Sequence, residues 1–328
     1  MRLGDLTDQG SPRPPSNWRR GFALLVSAAL LGLILWRIHP ERLGRVLSQL
    51  QPMPAFAALL CVISAALLLA IRWRWMLQIQ GFDDGFLAAW RGVLVGNALS
   101  AALLGAVLGD VAKSAWYSRR HGHAFGGVLL ACGLDRLCGG FGLAVYAAAT
   151  LVLAVLGGAR LPVQMEWNPN MLRALVWIIG VAGLIGALLF FRFRVHLLEH
   201  RQEVHRRVGE AWQLLRMHPG LLVAAMGVSF LAHLLIGATL GCALAAVSPT
   251  GLPWFALLWT FPAISLAAAM PFTFAGAGAR EGAALAIWSW FGIPGPVAVA
   301  ASLITFLATL LGAIPGSLLF LQGARKPC

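Results

Sequence analysis

Apolar residues gather along this chain into long unbroken blocks, not into the alternating or 3.6-residue patterns of half-buried strands and helices in soluble domains. Six blocks, roughly residues 21–38, 54–71, 125–156, 175–191, 221–247 and 297–321, are long enough to cross the ~30 Å hydrocarbon core of a bilayer. Two more, 86–108 and 254–274, are interrupted: the first holds Arg91, Asn97, Ser100 and several glycines, the second Pro262 and Pro271. Read as full spans, these two bring the total to eight.

Composition fixes the class. Of 328 residues, 59% are hydrophobic and only 11% charged, where a soluble domain carries about 25% charged residues. The pattern predicts an all-α polytopic membrane protein: a tail over 1–20, one transmembrane domain over 21–321, and a tail over 322–328. Too few polar residues remain for a separate soluble domain. "WRRGFALLV" (18–26) resembles a twin-arginine export signal, but no small-residue cleavage site follows, so an uncleaved first helix is expected.

The net charge of +13 does not imply nucleic acid, because the arginines sit in short loops between apolar blocks, as the positive-inside rule places them. The five cysteines, mostly inside apolar runs, show no metal spacing and read as small apolar fillers.

Loop charge also orients the spans. The stretch 192–216 holds six arginines and is read as cytoplasmic, which puts Lys113, Arg119 and Arg120 inside as well. The N-terminal arginines and the pair Arg72 and Arg74 are also read as inside, so both flanks of 86–108 lie on one face. That block is then a re-entrant hairpin. The same reasoning makes 254–274 a hairpin from the outer face, with both chain ends cytoplasmic. The scheme leaves Arg136 in the membrane and three arginines of the loop 37–45 outside.

The stretches after the two hairpins correspond. "LGDVAKSAW" follows the first and "AREGAALAIW" the second; in each, small residues precede an acid (Asp110, Glu281) and a tryptophan follows (Trp116, Trp288). Same order with opposite orientation predicts an inverted repeat, about 54–156 and 221–321. Substrate sites are expected where such broken helices meet near the midplane.

"FTFAGAGAREGAALAIWSWFG" (272–292) then poses a question. A charge at the bilayer centre costs at least ~2.5–3.5 kcal/mol, and adjacent helical residues do not face each other. Arg280 and Glu281 therefore lie in a short aqueous loop or have partners elsewhere. The block 125–156 carries Asp135 and Arg136 about ten residues in, roughly 15 Å deep at 1.5 Å per residue. Asp110, Lys113, Asp135, Arg136, Arg280 and Glu281 sum to zero formal charge. Two readings follow: ions paired to hold the hairpins (Arg136 to Glu281, or Arg280 to Asp110), or the same ions exchanging partners with a charged headgroup. Gly276 and Gly278, just before a helix starting near Ala279, let backbone N–H groups approach an anion, and Arg280 adds a planar fork for phosphate. His233, mid-block, is a possible proton site, with a satisfied core histidine the alternative. His121, His123, Asp83 and Asp84 read as solvated loop residues. No metal pair, Walker loop, GxSxG or CxxC appears, and neither cofactor nor metal is expected.

At "PFTFAGAGAREGA" from Pro271, "LGDVAKSAW" from Leu108, and the pair Asp135–Arg136, the chain resembles the lysylphosphatidylglycerol synthase transmembrane-region family of flippase-like proteins, over about 54–316. The first motif departs, with "LGAVL" ahead of its glycine–acid pair, which weakens the case for a headgroup contact from the first hairpin. The resemblance implies a multi-pass protein of the bacterial cytoplasmic membrane that translocates lipid without catalysis. The alternative is an accessory subunit or embedded transferase in a hopanoid or polyprenyl glycolipid pathway. A membrane lipid is the expected substrate, and a second copy or a lipid-biosynthesis protein the expected partner.

Overall fold

The computed structural model describes residues 25, 28–36, 40–102, 106–156, 219–248, 254–269, 273 and 276–324. All the regular structure among these residues is helical: besides the helical turns at 28–36, it comprises α1 (Pro40–Ser48), α2 (Pro52–Ile79), α3 (Phe86–Ala102), α4 (Ala106–His121), α5 (Phe125–Leu156), α6 (Pro219–Val247), α7 (Trp254–Ala268), α8 (Ala279–Ser289) and α9 (Gly295–Ala324). Four of them, α2, α5, α6 and α9, are long and apolar enough to cross a membrane. Each corresponds to a long apolar block. Residues 21–38 are described only in part, where Ile34 packs on Leu43, Val299 and Ala300. The block 175–191, the arginine-rich stretch after it and the N-terminal tail lie outside the described residues.

Where the sequence read a loop over 37–45, α1 forms; its Leu43 is buried while its arginines stay outside the core. Arg72, read as a loop flank, lies inside α2 and is buried. The reason is local: α2 begins with Pro52 and Pro54 in its first turn, where proline is tolerated, and from there runs without glycine or proline as far as Ile79.

Each interrupted block supplies only the first arm of a helical hairpin, α3 or α7; the second arm, α4 or α8, contains the stretch that the sequence placed after the hairpin. In α3–α4, Gly92 faces Tyr117, Gly96 faces Lys113 and Gly109 faces Ser100, an antiparallel ladder. At Gly109 a Cβ would fall 2.7 Å from Ser100 Cα, so only glycine permits this closeness. Both ends of the hairpin meet at Asp84, which accepts from Tyr117 Oη at 2.8 Å and contacts His123 Nε2 at 2.8 Å. Asp84, His121 and His123 therefore form one packed network, with Tyr117 stacked on His121 at 4.2 Å, and are not solvated loop residues as the sequence suggested. In α7–α8, Trp288 Nε1 donates to Thr260 Oγ1 at 3.3 Å and Gly276 abuts Ala268.

Polarity follows from the contacts. Gln51 N–H, before α2, donates to Ala246 O near the end of α6 at 2.8 Å, while Leu221 and Leu222 at the start of α6 pack around Trp73, Met76 and Leu77. Helices α2 and α6 therefore run antiparallel. Tyr146 of α5 meets Phe230 and His233 of α6, four residues beyond the Gly142–Ser229 contact, so these two run parallel. Ala298 at the start of α9 packs by Leu244 and Ala246, and Gly312 by Val62, so α9 runs with α2. The chain thus forms two four-helix units, α2–α5 and α6–α9, whose long helices oppose their counterparts. Among the described residues, exchanging α2 with α6, α3 with α7, α4 with α8 and α5 with α9 maps each close helix pair of these units onto another. The hairpins are exchanged too: α3 packs on α9 of the other unit, where Gly316 lies against the Leu94 carbonyl, and α7 packs on α5.

Candidate functional site

The charged residues form two separate groups, one per unit. In the first, Arg72 reaches from α2 to α5 and α6 at once: its Nε and Nη2 donate to Asp135 Oδ1 and Oδ2 at 2.7 and 2.8 Å, and its Nη1 to Ser229 Oγ at 2.9 Å. Ser229 Oγ in turn donates to Ala225 O at 2.6 Å. At the next residue of α5, Arg136 holds Asp110 of α4 through two donors, Nη2 at 3.0 Å and Nε closer still. Such paired forks are the strongest and most directional ionic contacts. The sequence did not single out Arg72, because a lone arginine near the end of an apolar block looks like a flank. Its distance before Ile79, about two helical turns, was the available signal.

Lys113 has no such partner. It is 5% exposed, its ammonium lies 3.5 Å from the centroid of the Trp73 ring, and among the described residues it has neither an ion-pair nor a hydrogen-bond partner. Gly96 makes room for its stem: a Cβ there would fall 2.5 Å from Lys113 Cδ. Arg72, Asn97, Ser100, Asp110, Lys113, Asp135 and Arg136 share a partly open cavity of about 100 Å³ between α2, the first hairpin and α5. Arg136, with 55% of its side chain exposed, stands at the opening. Two acids and three bases leave the cavity one positive charge, since Arg72 adds to the four residues expected from sequence.

The second group is closed on itself. Arg280 Nη2 donates to Glu281 Oε1 at 3.0 Å, Arg280 Nε to Ser302 Oγ at 3.2 Å, and Ser302 Oγ to Glu281 Oε1 at 2.9 Å. Glu281 is fully buried and Arg280 8% exposed, its guanidinium 4.9 Å from the Phe306 ring centroid. This corrects two expectations. The adjacent pair does neutralise itself, because the long arginine side chain curls back and Ser302 of α9 gathers both groups. The cross-unit pairs Arg136–Glu281 and Arg280–Asp110 do not form. The anion seat is also filled from within: Gly278 N–H donates to Glu281 Oε2 at 2.6 Å, an acid at the third helical position capping its own helix start. Gly276 and Gly278 have φ of 78° and 87°, a region L side chains avoid, so the turn itself requires them.

His233 Nδ1 bonds to Ser229 O at 2.6 Å beside Tyr146 and Phe261, the arrangement of a satisfied core histidine.

The matched segment decides the family. The model of the lysylphosphatidylglycerol synthase TM region matches residues 22–316, which covers both charged groups, the first unit and the second unit as far as Gly316 in α9. The chain belongs to this family. No curated protein matches it. In this member of the lysylphosphatidylglycerol synthase TM region family, the open cavity lies between α2, the first hairpin and α5, and Arg280 and Glu281 of the more recognisable motif form the closed pair.

Proposed function

We propose that this protein moves a phospholipid with an anionic, phosphate-bearing headgroup across the bacterial cytoplasmic membrane, without catalytic chemistry. The observation that carries this reading is Lys113. Burying an ion costs several kcal/mol even after relaxation, of which a desolvated indole face returns about 2 kcal/mol or somewhat more. A monoanionic phosphodiester entering the cavity supplies the missing partner, and Asn97 and Ser100 are at hand for its remaining oxygens. Asp110 and Asp135 are already held by arginines, so they repel an incoming anion less than free carboxylates would. Acyl chains stay in lipid past Arg136, at the open side.

In this reading the two hairpins are re-entrant, dip from opposite faces and are too short to span: α3 is about 26 Å long at 1.5 Å per residue. Six helices cross, with both chain ends cytoplasmic. Single cysteines introduced at Asp83 and Gly292 test this. Asp83 should be labelled by an impermeant maleimide only from the cytoplasm and Gly292 only from outside; labelling of both from one face overturns the inverted arrangement.

Transport itself is tested in liposomes of phosphatidylcholine containing labelled phosphatidylglycerol or labelled phosphatidylcholine. Leaflet exchange of the anionic lipid alone is expected. Equal exchange of the neutral lipid, or none of either, would sink the proposal. Consumption of a donor substrate would point to a transferase instead.

A further inference from the structure

A second polar cavity, of about 140 Å³, lies at the end of the first unit where α3 begins and α4 and α9 end; Arg91, Trp116, Arg120, Leu319 and Gln322 line it. It holds two bases and no acid. Arg91 and Arg120 are both exposed, and among the described residues neither has an ion-pair or hydrogen-bond partner. The Arg120 guanidinium lies 5.6 Å from the Trp116 ring centroid, and Trp116 is itself wedged against the core around Trp73 and Tyr117. An indole anchored in this way fixes one wall of the notch, Leu319 gives it an apolar floor, and Gln322 adds a neutral donor and acceptor.

The notch is also in register with the transport cavity. Lys113, Trp116 and Arg120 are spaced i, i+3 and i+7 along α4, on one face of the helix. Along that face a cation lies over an indole twice: Arg120 over Trp116 at the membrane surface, and Lys113 over Trp73 in the interior. We propose that the notch is a second binding site, for the phosphate of an anionic phospholipid, and that it hands this headgroup along α4 to Lys113. The second half of the statement rests on the transport reading above; the first half does not. Two guanidinium forks suit the phosphate oxygens, and an interfacial tryptophan lies at the depth of the glycerol. The notch faces the end of the bundle read as cytoplasmic, so it loads the cavity from the inner leaflet.

The test uses the full-length protein, delipidated and then titrated in detergent with short-chain phosphatidylglycerol, short-chain phosphatidylcholine or inorganic phosphate, with bound lipid counted by native mass spectrometry. The variant is Arg91→Gln/Arg120→Gln, both at exposed positions; its melting temperature reports folding. Wild type should retain one more phosphatidylglycerol than the variant, and the variant's affinity for that lipid should fall about tenfold or more, as expected for the loss of charge-assisted bonds. Equal retention by both proteins overturns the notch. Equal retention of phosphatidylcholine makes it an apolar slot, and binding of inorganic phosphate as tight as that of the lipid makes it a free-anion site; either outcome also overturns it. In liposomes, the mole fraction of phosphatidylglycerol that half-saturates transport should rise about tenfold in the variant. Lost retention with an unaltered half-saturating fraction overturns the hand-over alone. If wild type retains the lipid but moves none, the transport reading fails and the binding site stands.

Discussion

Replacing Lys113 with methionine should stop transport of the anionic lipid and raise the melting temperature of the protein. Most losses of a functional side chain in a packed site lower stability or leave it unchanged, so the opposite signs are informative. The argument is electrostatic. The ammonium is buried against Trp73 and has no ion-pair partner among the described residues, because the acids that share its cavity, Asp110 and Asp135, are held by Arg136 and Arg72. Methionine has nearly the same length and passes over Gly96 in the same way, filling the space without the cost of an unbalanced charge. Restoring a desolvated ion to neutrality is worth on the order of 1–3 kcal/mol of stability. Losing one charge-assisted contact to phosphate costs about 1.5–3 kcal/mol of binding, or roughly 10- to 150-fold. Thermal unfolding in detergent and leaflet exchange in liposomes measure the two halves. A methionine variant that melts lower and still transports would remove Lys113 from the headgroup site. Gly96→Ala offers an independent check, because its Cβ would displace the lysine stem without altering any charge.

A loss of fold is the expected result of Glu281→Ala. Arg280 would be left 8% exposed without its carboxylate, and both Ser302 Oγ and Gly278 N–H would lose their acceptor. Removing one member of a buried pair typically costs about 3–5 kcal/mol, a large part of the stability of most domains. Replacing both residues with apolar ones of similar volume, Arg280→Met with Glu281→Leu, should recover most of that loss, because well-packed apolar side chains replace buried ion pairs at little cost. Size-exclusion profiles and melting temperatures report the fold. Transport is expected to return with it. A double variant that folds but does not transport would return the second motif to a headgroup role.

The sequence made the fold legible where length decides. A block of unbroken apolar residues has no soluble alternative, so α2, α5, α6 and α9 were readable. The two interrupted blocks were also recognisable as special, and the glycines that interrupt the first are the ones that let α3 and α4 touch. Side-chain pairing was less legible. Spacing rules compare Cβ directions, and an arginine reaches far beyond its Cβ, so Arg280 could turn onto its neighbour and Arg72 could leave an apparent flank to join Asp135. The pattern most easily recognised, GAGARE, forms a tight turn and a closed ion pair, while the open cavity is formed by residues scattered over four helices, a dispersion no short motif displays.

The antiparallel packing of α2 on α6, with its matched set of contacts, bears on the origin of the chain. An interface in which each half offers the other the same surface is the kind made by two copies of a single polypeptide related by a two-fold axis. A helix packed antiparallel to its counterpart must cross a bilayer in the opposite sense. An ancestral half of this protein would therefore have inserted in both senses and paired with itself. Joining two such halves on one chain frees each copy from the other's constraints. One copy could then lock its acid and arginine onto a serine, while the other kept a lysine that faces an indole and has no acid partner among the described residues. In such a history the asymmetry between the units arises after duplication.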